Sequence, residues 1–268
     1  MAIINRTKDS FFDGGKTFGF SRALSAALTA LDDGAHWVDI GGVPFSPISQ
    51  HVTEAEELAR VVPLVAEIRS RSKAIISVDT FRAKVATEAL AAGADAINDT
   101  SGLRDPGIAV SAALAGASLV ITHSKAKPRE VLQRPVYVDV VCEVQQFLAA
   151  KVELAEKLGM PPKKIIIDPG HDLNKNTYHS LELTRRLSEL TKLEYPLLVS
   201  VSNKDFVGEA LDLPRNQLLA GTTATLVMCM MQGARIVRVH DVKAAVSAVR
   251  MFESVFGSRL PLKVRHNL

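Results

Sequence analysis

Short apolar runs alternate with longer amphipathic segments along the whole chain. Eight of these runs are rich in Val and Ile, are largely continuous, and end at a polar cluster. Continuous apolar runs of this length are typical of strands buried on both faces, as in a parallel sheet. They predict strands at residues 2–5, 35–40, 74–79, 94–99, 117–123, 164–169, 196–202 and 234–240.

The segments between the runs predict eight helices. Thr53 with Glu56 three residues later forms a capping-box pattern at the start of one helix. The segments DDGA, AAGA and KLGMPP each place a glycine where a helix ends in a left-handed residue. The predicted helices cover residues 21–32, 53–70, 81–92, 107–115, 136–159, 178–192, 215–232 and 241–256.

Eight strand–helix units follow one another without a linker or a shift in composition. This order predicts an α/β protein with a single (β/α)8 TIM barrel over residues 1–258 and a short basic tail over 259–268. A doubly wound open sheet is the alternative. No predicted strand is followed by the glycine-rich phosphate-binding patterns that often accompany that fold, which counts against it.

Composition places the chain among soluble globular proteins. It has 268 residues, 47% of them hydrophobic and 23% charged, with a formal net charge of +3. The longest apolar run, ATLVMCMM (224–231), is too short for a membrane span and is interpreted as a buried helix. Cys142 and Cys229 lie in apolar helical patterns without metal-ligand spacing, so we expect buried, reduced thiols. We also expect a cytoplasmic protein that binds neither nucleic acid nor membrane.

Polar residues close nearly every predicted strand. In a barrel the carboxyl ends of the strands carry the active site, so these side chains should meet at one mouth. Each alone has an ordinary explanation, such as a helix N-cap or a core histidine, but burying them all without a ligand would be costly. The set is Asn5, Asp39, Asp79, Asn98, Asp99, His123, Asp168, Ser202, Lys204, Arg238 and His240.

The chemistry of this set favours a flat nitrogen heterocycle as the ligand. Carboxylate and amide oxygens accept hydrogen bonds from ring N–H groups, a lysine donates to ring acceptors, and a guanidinium stacks on the ring face. A metal-dependent hydrolase fits less well, because the first strand ends Ile4-Asn5-Arg6 without an H-x-H pair, and no H-E-x-x-H occurs.

Six segments resemble, in order and spacing, the motifs of the dihydropteroate synthases. The opening IINRTKDSFFDGG (3–15) is similar to the family's I-L-N-V-T-P-D-S-F-x-D-G-G. The later segments are SVDT (77–80), NDTSG (98–102), IIDPG (166–170), SNKDF (202–206) and RVHDV (238–242). The resemblance implies a (β/α)8 homodimer in folate biosynthesis. Such enzymes condense 6-hydroxymethyl-7,8-dihydropterin pyrophosphate with p-aminobenzoate, and Mg2+ neutralises charge on the departing pyrophosphate.

The resemblance also implies roles for individual residues. Asp79, Asn98, Asp168 and Lys204 would hold the pterin ring, with Arg238 against its face.

Three further residues would act at the other end of the substrate. Asn5 and His240, together with Arg238, would face the pyrophosphate and the metal, with Asn5 as the Mg2+ ligand. Asp13, in the first loop, would help close the site over the second substrate. With Lys204, these residues make up the catalytic set that the resemblance implies.

The departures from the family pattern concentrate on the second-substrate side. The family's G-G-E-S-T-R-P-G reads GGVPFSPI (41–48), so Phe45 and Ser46 replace the threonine and arginine. D-P-G-x-G-F-x-K reads DPGHDLNK (168–175), which puts Leu173 where a phenylalanine would pack on the p-aminobenzoate ring.

Smaller departures occur in three other motifs. S-R-K reads Ser202-Asn203-Lys204, Lys8 replaces a proline in the first loop, and the fifth strand ends in Thr122 where a methionine is usual. The Thr122 change falls at the edge of the pterin site.

Three functions therefore remain open. A working synthase would need Arg6, Lys8 or His171 to replace the missing arginine, whose contact with phosphate is worth about 1.5–3 kcal/mol. A second-copy paralogue would keep the pterin pocket but lack efficient synthase activity, acting on another nucleophile or serving as a non-catalytic binder. A methyltetrahydrofolate-type methyltransferase is the third, although the SNK and RVHDV motifs count against it, since methyl transfer leaves no pyrophosphate to hold. The segment TATLVMCMMQGA (223–234) is apolar on all sides, which suits either a dimer interface or burial within the monomer.

Overall fold

The computed structural model describes residues 1–7, 17–44, 49–130 and 132–266. Six parallel strands form one sheet in chain order, and two more form a second parallel pair. The strands are β1 (Ala2–Asn5), β2 (Trp37–Gly41), β3 (Ile75–Asp79), β4 (Ala96–Asp99), β5 (Ser118–Thr122), β6 (Ile165–Asp168), β7 (Leu198–Val199) and β8 (Ile236–Val237).

Backbone hydrogen bonds at both edges join the two sheets into a closed ring. Between β6 and β7, the amide of Ile167 donates to the carbonyl of Pro196 at 3.0 Å. Between β8 and β1, the amide of Val239 donates to Met1 at 2.9 Å, and Ile3 donates back to Val239 at 3.0 Å. Eight parallel strands in chain order thus form a barrel, and the prediction of a (β/α)8 fold is confirmed.

Helices surround the barrel and follow the predicted order with some differences. The predicted helix at 178–192 ends early and continues as a 3-10 helix over Leu187–Leu193, and the one predicted from 215 starts at 219. A seven-residue helix after β7 was not predicted. The helices are α1 (Phe20–Asp32), α2 (Glu54–Arg71), α3 (Ala83–Ala91), α4 (Gly107–Leu114), α5 (Val140–Lys157), α6 (Thr177–Arg185), α7 (Asp205–Leu211), α8 (Leu219–Met231) and α9 (Val242–Val255).

The local signals for helix ends are confirmed. Thr53 and Glu56 form the reciprocal hydrogen bonds of a capping box at the start of α2. Gly34, Gly93 and Gly159 have φ angles of 102°, 108° and 98°, in the left-handed region that glycine adopts without steric cost. The turns from these helices to the following strands therefore lie where the sequence predicts them.

The barrel interior changes character from one end to the other. Along each strand alternate residues point outward to the helices or inward to the barrel axis. At the amino end, the inward residues form a small apolar cluster made by Trp37, Ala96, Val120, Ile166 and Leu198. Towards the carboxyl end the inward positions become polar, beginning with Asp39 two residues after Trp37. The amino-terminal half of the barrel interior is therefore filled by apolar side chains, and a ligand could bind in the carboxyl-terminal half.

The surface corrects two expectations. Met228 and Met231 of α8 are 55% and 65% exposed, so the apolar run 224–231 is not a fully buried helix. Cys142 is exposed, while Cys229 is buried as expected. No helix in the described part of the chain is both long and apolar enough to cross a membrane.

Candidate functional site

An ion-paired guanidinium lies at the centre of the barrel mouth. Arg238, which directly follows β8, donates from Nε to Asp39 Oδ2 at 2.7 Å and from Nη2 to Asp79 Oδ2 at 3.0 Å. Asp39 is fully buried on β2, and its other oxygen accepts a hydrogen bond from Ser77 on β3. Because both nitrogens are held by carboxylates, the plane of the guanidinium is fixed from two sides.

The electrostatics of this pair depend on burial. Burial raises the pKa of Asp79 to about 7, opposed by Arg238 and reinforced by the neighbouring charge of Asp39. Burial also opposes the charge on Arg238, but Asp39 and Asp79 together hold the pKa of the guanidinium above its ordinary value. The side chains of Asp79 and Arg238 are 23% and 14% exposed, so both can meet a ligand, whereas Asp39 is fully buried.

Two buried polar atoms on neighbouring strands at the mouth lack partners among the described residues. Asn98 on β4 donates to Asp39 Oδ2 at 3.1 Å, but its Oδ1 has no hydrogen-bond partner among the described residues. The hydroxyl of Thr122 on β5 likewise has none in the part of the chain that the structure describes. Buried polar atoms are normally paired, so unpaired ones at a barrel mouth point to a ligand that supplies the partner.

Asp168 and Lys204 form the opposite wall of the mouth. Asp168 ends β6, and its Oδ1 accepts a hydrogen bond from the amide of Gly170 at 2.7 Å. Burial raises the pKa of Asp168, while Gly170 and Lys204 act in the other direction. Lys204 immediately precedes α7 and donates no hydrogen bond to any described residue. Burial lowers the pKa of its ammonium, although Asp172 and Asp168 favour the charged form.

Beneath this wall lies a buried lysine that the sequence did not single out. Lys175 Nζ donates to His123 Nδ1 at 2.8 Å, to the Gly170 carbonyl at 2.8 Å and to the Leu173 carbonyl at 3.2 Å. Burial lowers the pKa of Lys175 to about 7 and that of His123 to about 2. His123 is therefore a neutral acceptor, and Lys175 clamps the end of β5 to the loop after β6.

The remaining predicted residues stand around the β1–β8 side. The carboxamide of Asn5 ends β1 beside Gly41, where a Cβ on the glycine would lie 3.2 Å from Asn5 Oδ1. The amide of His240 donates to Ser202 Oγ at 3.2 Å, which joins the segments after β7 and β8. Asn203 has a φ of 53°, and its amide donates to Thr222 of α8. The hydroxyls of Ser202 and Thr222 thus hold the backbone of this turn in place.

Comparison with known proteins matches this arrangement. A family model described as "Pterin binding enzyme" covers residues 1–240. "Inactive dihydropteroate synthase 2" of Mycobacterium leprae is 41% identical over all of this chain and 94% of that protein. "Dihydropteroate synthase" of Synechocystis sp. is 39% identical, with 96% of this chain and 89% of that protein covered. The solved Yersinia pestis dihydropteroate synthase with a sulfonamide drug has a TM-score of 0.92 and 39% identity, over 97% of this chain and 94% of that one.

The chain belongs to the dihydropteroate synthase family. The structure brings together the residues that the family motifs place at the pterin: Asp79, Asn98, Asp168, Lys204 and Arg238 all line the mouth, and Asn5 and His240 stand beside them. Asp39 is the buried partner of Arg238, a role that neither its place at a strand end nor the family motifs predict. The signal for it was the inward alternation of Trp37, Asp39 and Gly41 along β2.

Two departures from the family motif fall in the loop after β6. Asp172 stands where the family motif has glycine and takes a φ of 63°. Its carboxylate accepts from Ser180 Oγ at 3.0 Å and from the amide of Phe206 in α7 at 3.3 Å. Leu173 is buried rather than exposed to the mouth. The loop is thereby fixed to α6 and α7 by an acidic side chain.

The candidates for a replacement cation are largely engaged elsewhere. His171 is buried, contacts Thr184 of α6 at 3.1 Å through Nε2, and burial lowers its pKa to about 3. Arg6 donates to the carbonyls of Phe18 and Arg60. These contacts engage His171 and two nitrogens of Arg6, which counts against both as replacements for the lost phosphate contact. Lys8, Asp13, Phe45 and Ser46 lie outside the described residues.

The double glycine at the base of the second loop has a packing role. A Cβ on Gly42 would lie 2.8 Å from Val61 Cγ2 and 3.1 Å from Glu57 Cγ of α2. Gly41 leaves room for the side chains of Asn5 and Asp79 above it. Gly42 therefore allows close packing of α2, and Gly41 leaves space for two site residues. The base of the loop is thus in tight contact with the barrel.

Proposed function

We propose that this protein binds a reduced pterin at the barrel mouth and condenses it with p-aminobenzoate poorly or not at all. The observation that carries the first half is the unpartnered Oδ1 of Asn98, buried next to Asp39 and Arg238. The amide oxygen is an acceptor, and a pterin ring offers N–H donors. Around it stand Asp79 and Asp168, which accept further N–H groups when ionised.

Cationic groups complete the fit to a pterin. Lys204 is oriented by its position before α7 and can donate to a ring nitrogen or carbonyl. Arg238 is held flat by Asp39 and Asp79, so its face is available for stacking while its edge is occupied. A pterin bound here would satisfy donors and acceptors that the described residues leave without partners, which is what makes binding favourable.

The doubtful half concerns the second substrate and the pyrophosphate. The threonine and arginine of the family's second loop are absent from the sequence, and His171 and Arg6 are engaged in other contacts. One relative is named as an inactive synthase and another, of similar identity, as a synthase. The lost cation weighs against efficient condensation.

The metal and assembly complete the proposal. Among the described residues no cluster of three or more His, Cys, Asp or Glu could hold a metal. Mg2+ often relies on one or two protein oxygens plus substrate phosphates, and Asn5 Oδ1 fits that limited requirement. When bound with pyrophosphate, Mg2+ would neutralise charge on the leaving group.

We further propose a cytoplasmic homodimer that pairs through α8 and α9. Both helices expose large apolar side chains, among them Met228, Met231, Met251 and Val255. Sedimentation of the protein with Met228 and Met231 both changed to Lys tests this, and an unchanged sedimentation coefficient would contradict it.

Calorimetry with a 7,8-dihydropterin tests pterin binding. The intact protein should bind, Asp168→Ala and Lys204→Ala should each lose binding, and Lys127→Ala, at an exposed position, should bind normally. An intact protein that does not bind would refute the proposal.

A synthase assay tests the second half. The protein is incubated with the pterin pyrophosphate, p-aminobenzoate and Mg2+, and dihydropteroate is measured against the Synechocystis enzyme as a positive control. We expect little or no product. Formation at the control's rate would show that this protein is a working synthase and would overturn this half of the proposal.

A further inference from the structure

Thr122 combines three features that mark a ligand contact. It ends β5 on an inward-facing position, since Val120 belongs to the interior cluster and Ile121 to the outer core. It is 1% exposed, and its hydroxyl oxygen has no hydrogen-bond partner in the described parts of the chain. A threonine serving only to fill space would be replaced without cost by valine, which has the same shape and no polar atom.

The surroundings fix where the hydroxyl lies relative to the mouth. Thr122 is the direct Cα partner of Asp168 across the β5–β6 ladder. The methyl group of Thr122 packs towards Gly170, where a Cβ would lie 3.2 Å from it. Because Thr122 and Asp168 are paired on inward-facing positions of neighbouring strands, both side chains belong to the same wall of the mouth.

The chemistry of a pterin supplies the missing partner. In the aminopyrimidinone half of the ring, the N–H groups that a carboxylate accepts are flanked by a ring nitrogen and a carbonyl oxygen, both acceptors. A hydroxyl next to Asp168 would therefore face an acceptor of the same ring edge. A methionine, which the family usually has here, offers only a weak acceptor and no donor.

We propose that Thr122 is a specificity-determining residue that donates a hydrogen bond to the bound pterin beside Asp168. This inference rests on the proposed pterin binding and adds a contact that belongs to this chain rather than to the family pattern. The unpaired hydroxyl lowers the stability of the unliganded protein, and this free energy is recovered when the hydroxyl bonds to the pterin ring.

Two measurements on Thr122→Val separate a binding role from a structural one. The variant removes the unpaired polar atom and keeps the shape, so its melting temperature should stay equal or rise. Its affinity for a 7,8-dihydropterin should fall by about 2- to 12-fold, which corresponds to one net hydrogen bond. Thr122→Ser keeps the hydroxyl and should retain most of the wild-type affinity.

Thr184→Val is the matched control. Thr184 is also buried, but its hydroxyl is paired with the Ser180 carbonyl at 2.9 Å and lies outside the mouth. This variant should melt at a lower temperature and bind the pterin normally.

The possible failures are distinct. If the wild-type protein does not bind the pterin, the proposed function fails and this inference fails with it. If the wild type binds and Thr122→Val binds equally well, or Thr122→Ser is as weak as Thr122→Val, only the inference is overturned.

Discussion

Replacing Asp39 with alanine would leave the Arg238 guanidinium with one carboxylate instead of two. The Asp39 side chain is 0% exposed and accepts hydrogen bonds from Arg238 at 2.7 Å, from Asn98 at 3.1 Å and from Ser77. Alanine removes all three acceptor contacts at once. Arg238 then keeps only its contact with Asp79 at 3.0 Å.

The expected cost follows from breaking a buried ion pair on one side. Removing one partner of such a pair costs about 3–5 kcal/mol, because the remaining charge stays buried. For a chain of this size that loss lowers the melting temperature by about 6–20 °C. Asp39→Asn keeps an acceptor oxygen but no charge, and should cost about 1.5–3 kcal/mol, the value of a hydrogen bond to a charged group.

Differential scanning calorimetry of the two variants measures this order directly. Glu153→Ala breaks an exposed ion pair with Lys157 and should leave the melting temperature unchanged. Calorimetric titration of Asp39→Asn should also show weaker pterin binding, because Asn98 and Arg238 lose the group that orients them. A melting temperature of Asp39→Ala within 2 °C of wild type, a margin of about 1 kcal/mol at most, would refute the reasoning.

Three further predictions concern neighbouring groups. Pterin affinity should rise between about pH 6 and pH 8, because burial raises the pKa of Asp79 to about 7 and the ionised carboxylate accepts stronger hydrogen bonds from ring N–H groups than the protonated carboxyl does. Titrations of Asp79→Asn at both pH values should lack this rise. Burial lowers the pKa of Lys175 from 10.5 to about 7, so its protonation opposes folding, and the free energy of unfolding should grow as pH increases from 7 towards 10. Urea unfolding of Lys175→Met should give a flat profile over this interval. A Lys175→Met profile identical to that of the wild type would contradict the assignment. Gly170→Ala should fail to fold or bind, because a Cβ at its φ of 67° would collide with the His123 carbonyl; a soluble, pterin-binding variant by circular dichroism and calorimetry would disprove this.

The fold could be predicted because its signals are local. Buried parallel strands leave continuous apolar runs, and the left-handed glycines Gly34, Gly93 and Gly159 mark three of the returns from helix to strand. The polar residue at a strand end is local too, so Asp79, Asn98 and Asp168 could be placed at one mouth once the strands were in order. Parallel topology alone brings these ends together.

The internal partners could not be predicted in the same way. Asp39 and Arg238 are separated by 199 positions and meet only because β8 closes onto β1. Lys175 reaches back under its own loop through left-handed residues at Asp172 and Asn174, whose φ angles of 63° and 53° no apolar pattern encodes. The short α7 was missed because seven residues are too few for a helical period to show.

Closure of the barrel depends on its shortest strands. β7 and β8 contain two residues each, and only isolated bridges connect them to β6 and β1. Lys204 and Arg238 stand just beyond these two strands, whereas Asp79 and Asp168 belong to the continuous sheet. A pterin held by both groups of residues would connect the β7–β8 pair to the six-stranded sheet from inside the barrel. Pterin binding and closure of the barrel would then be thermodynamically linked, so the bound pterin would stabilise the barrel even in a protein that performs no chemistry on it.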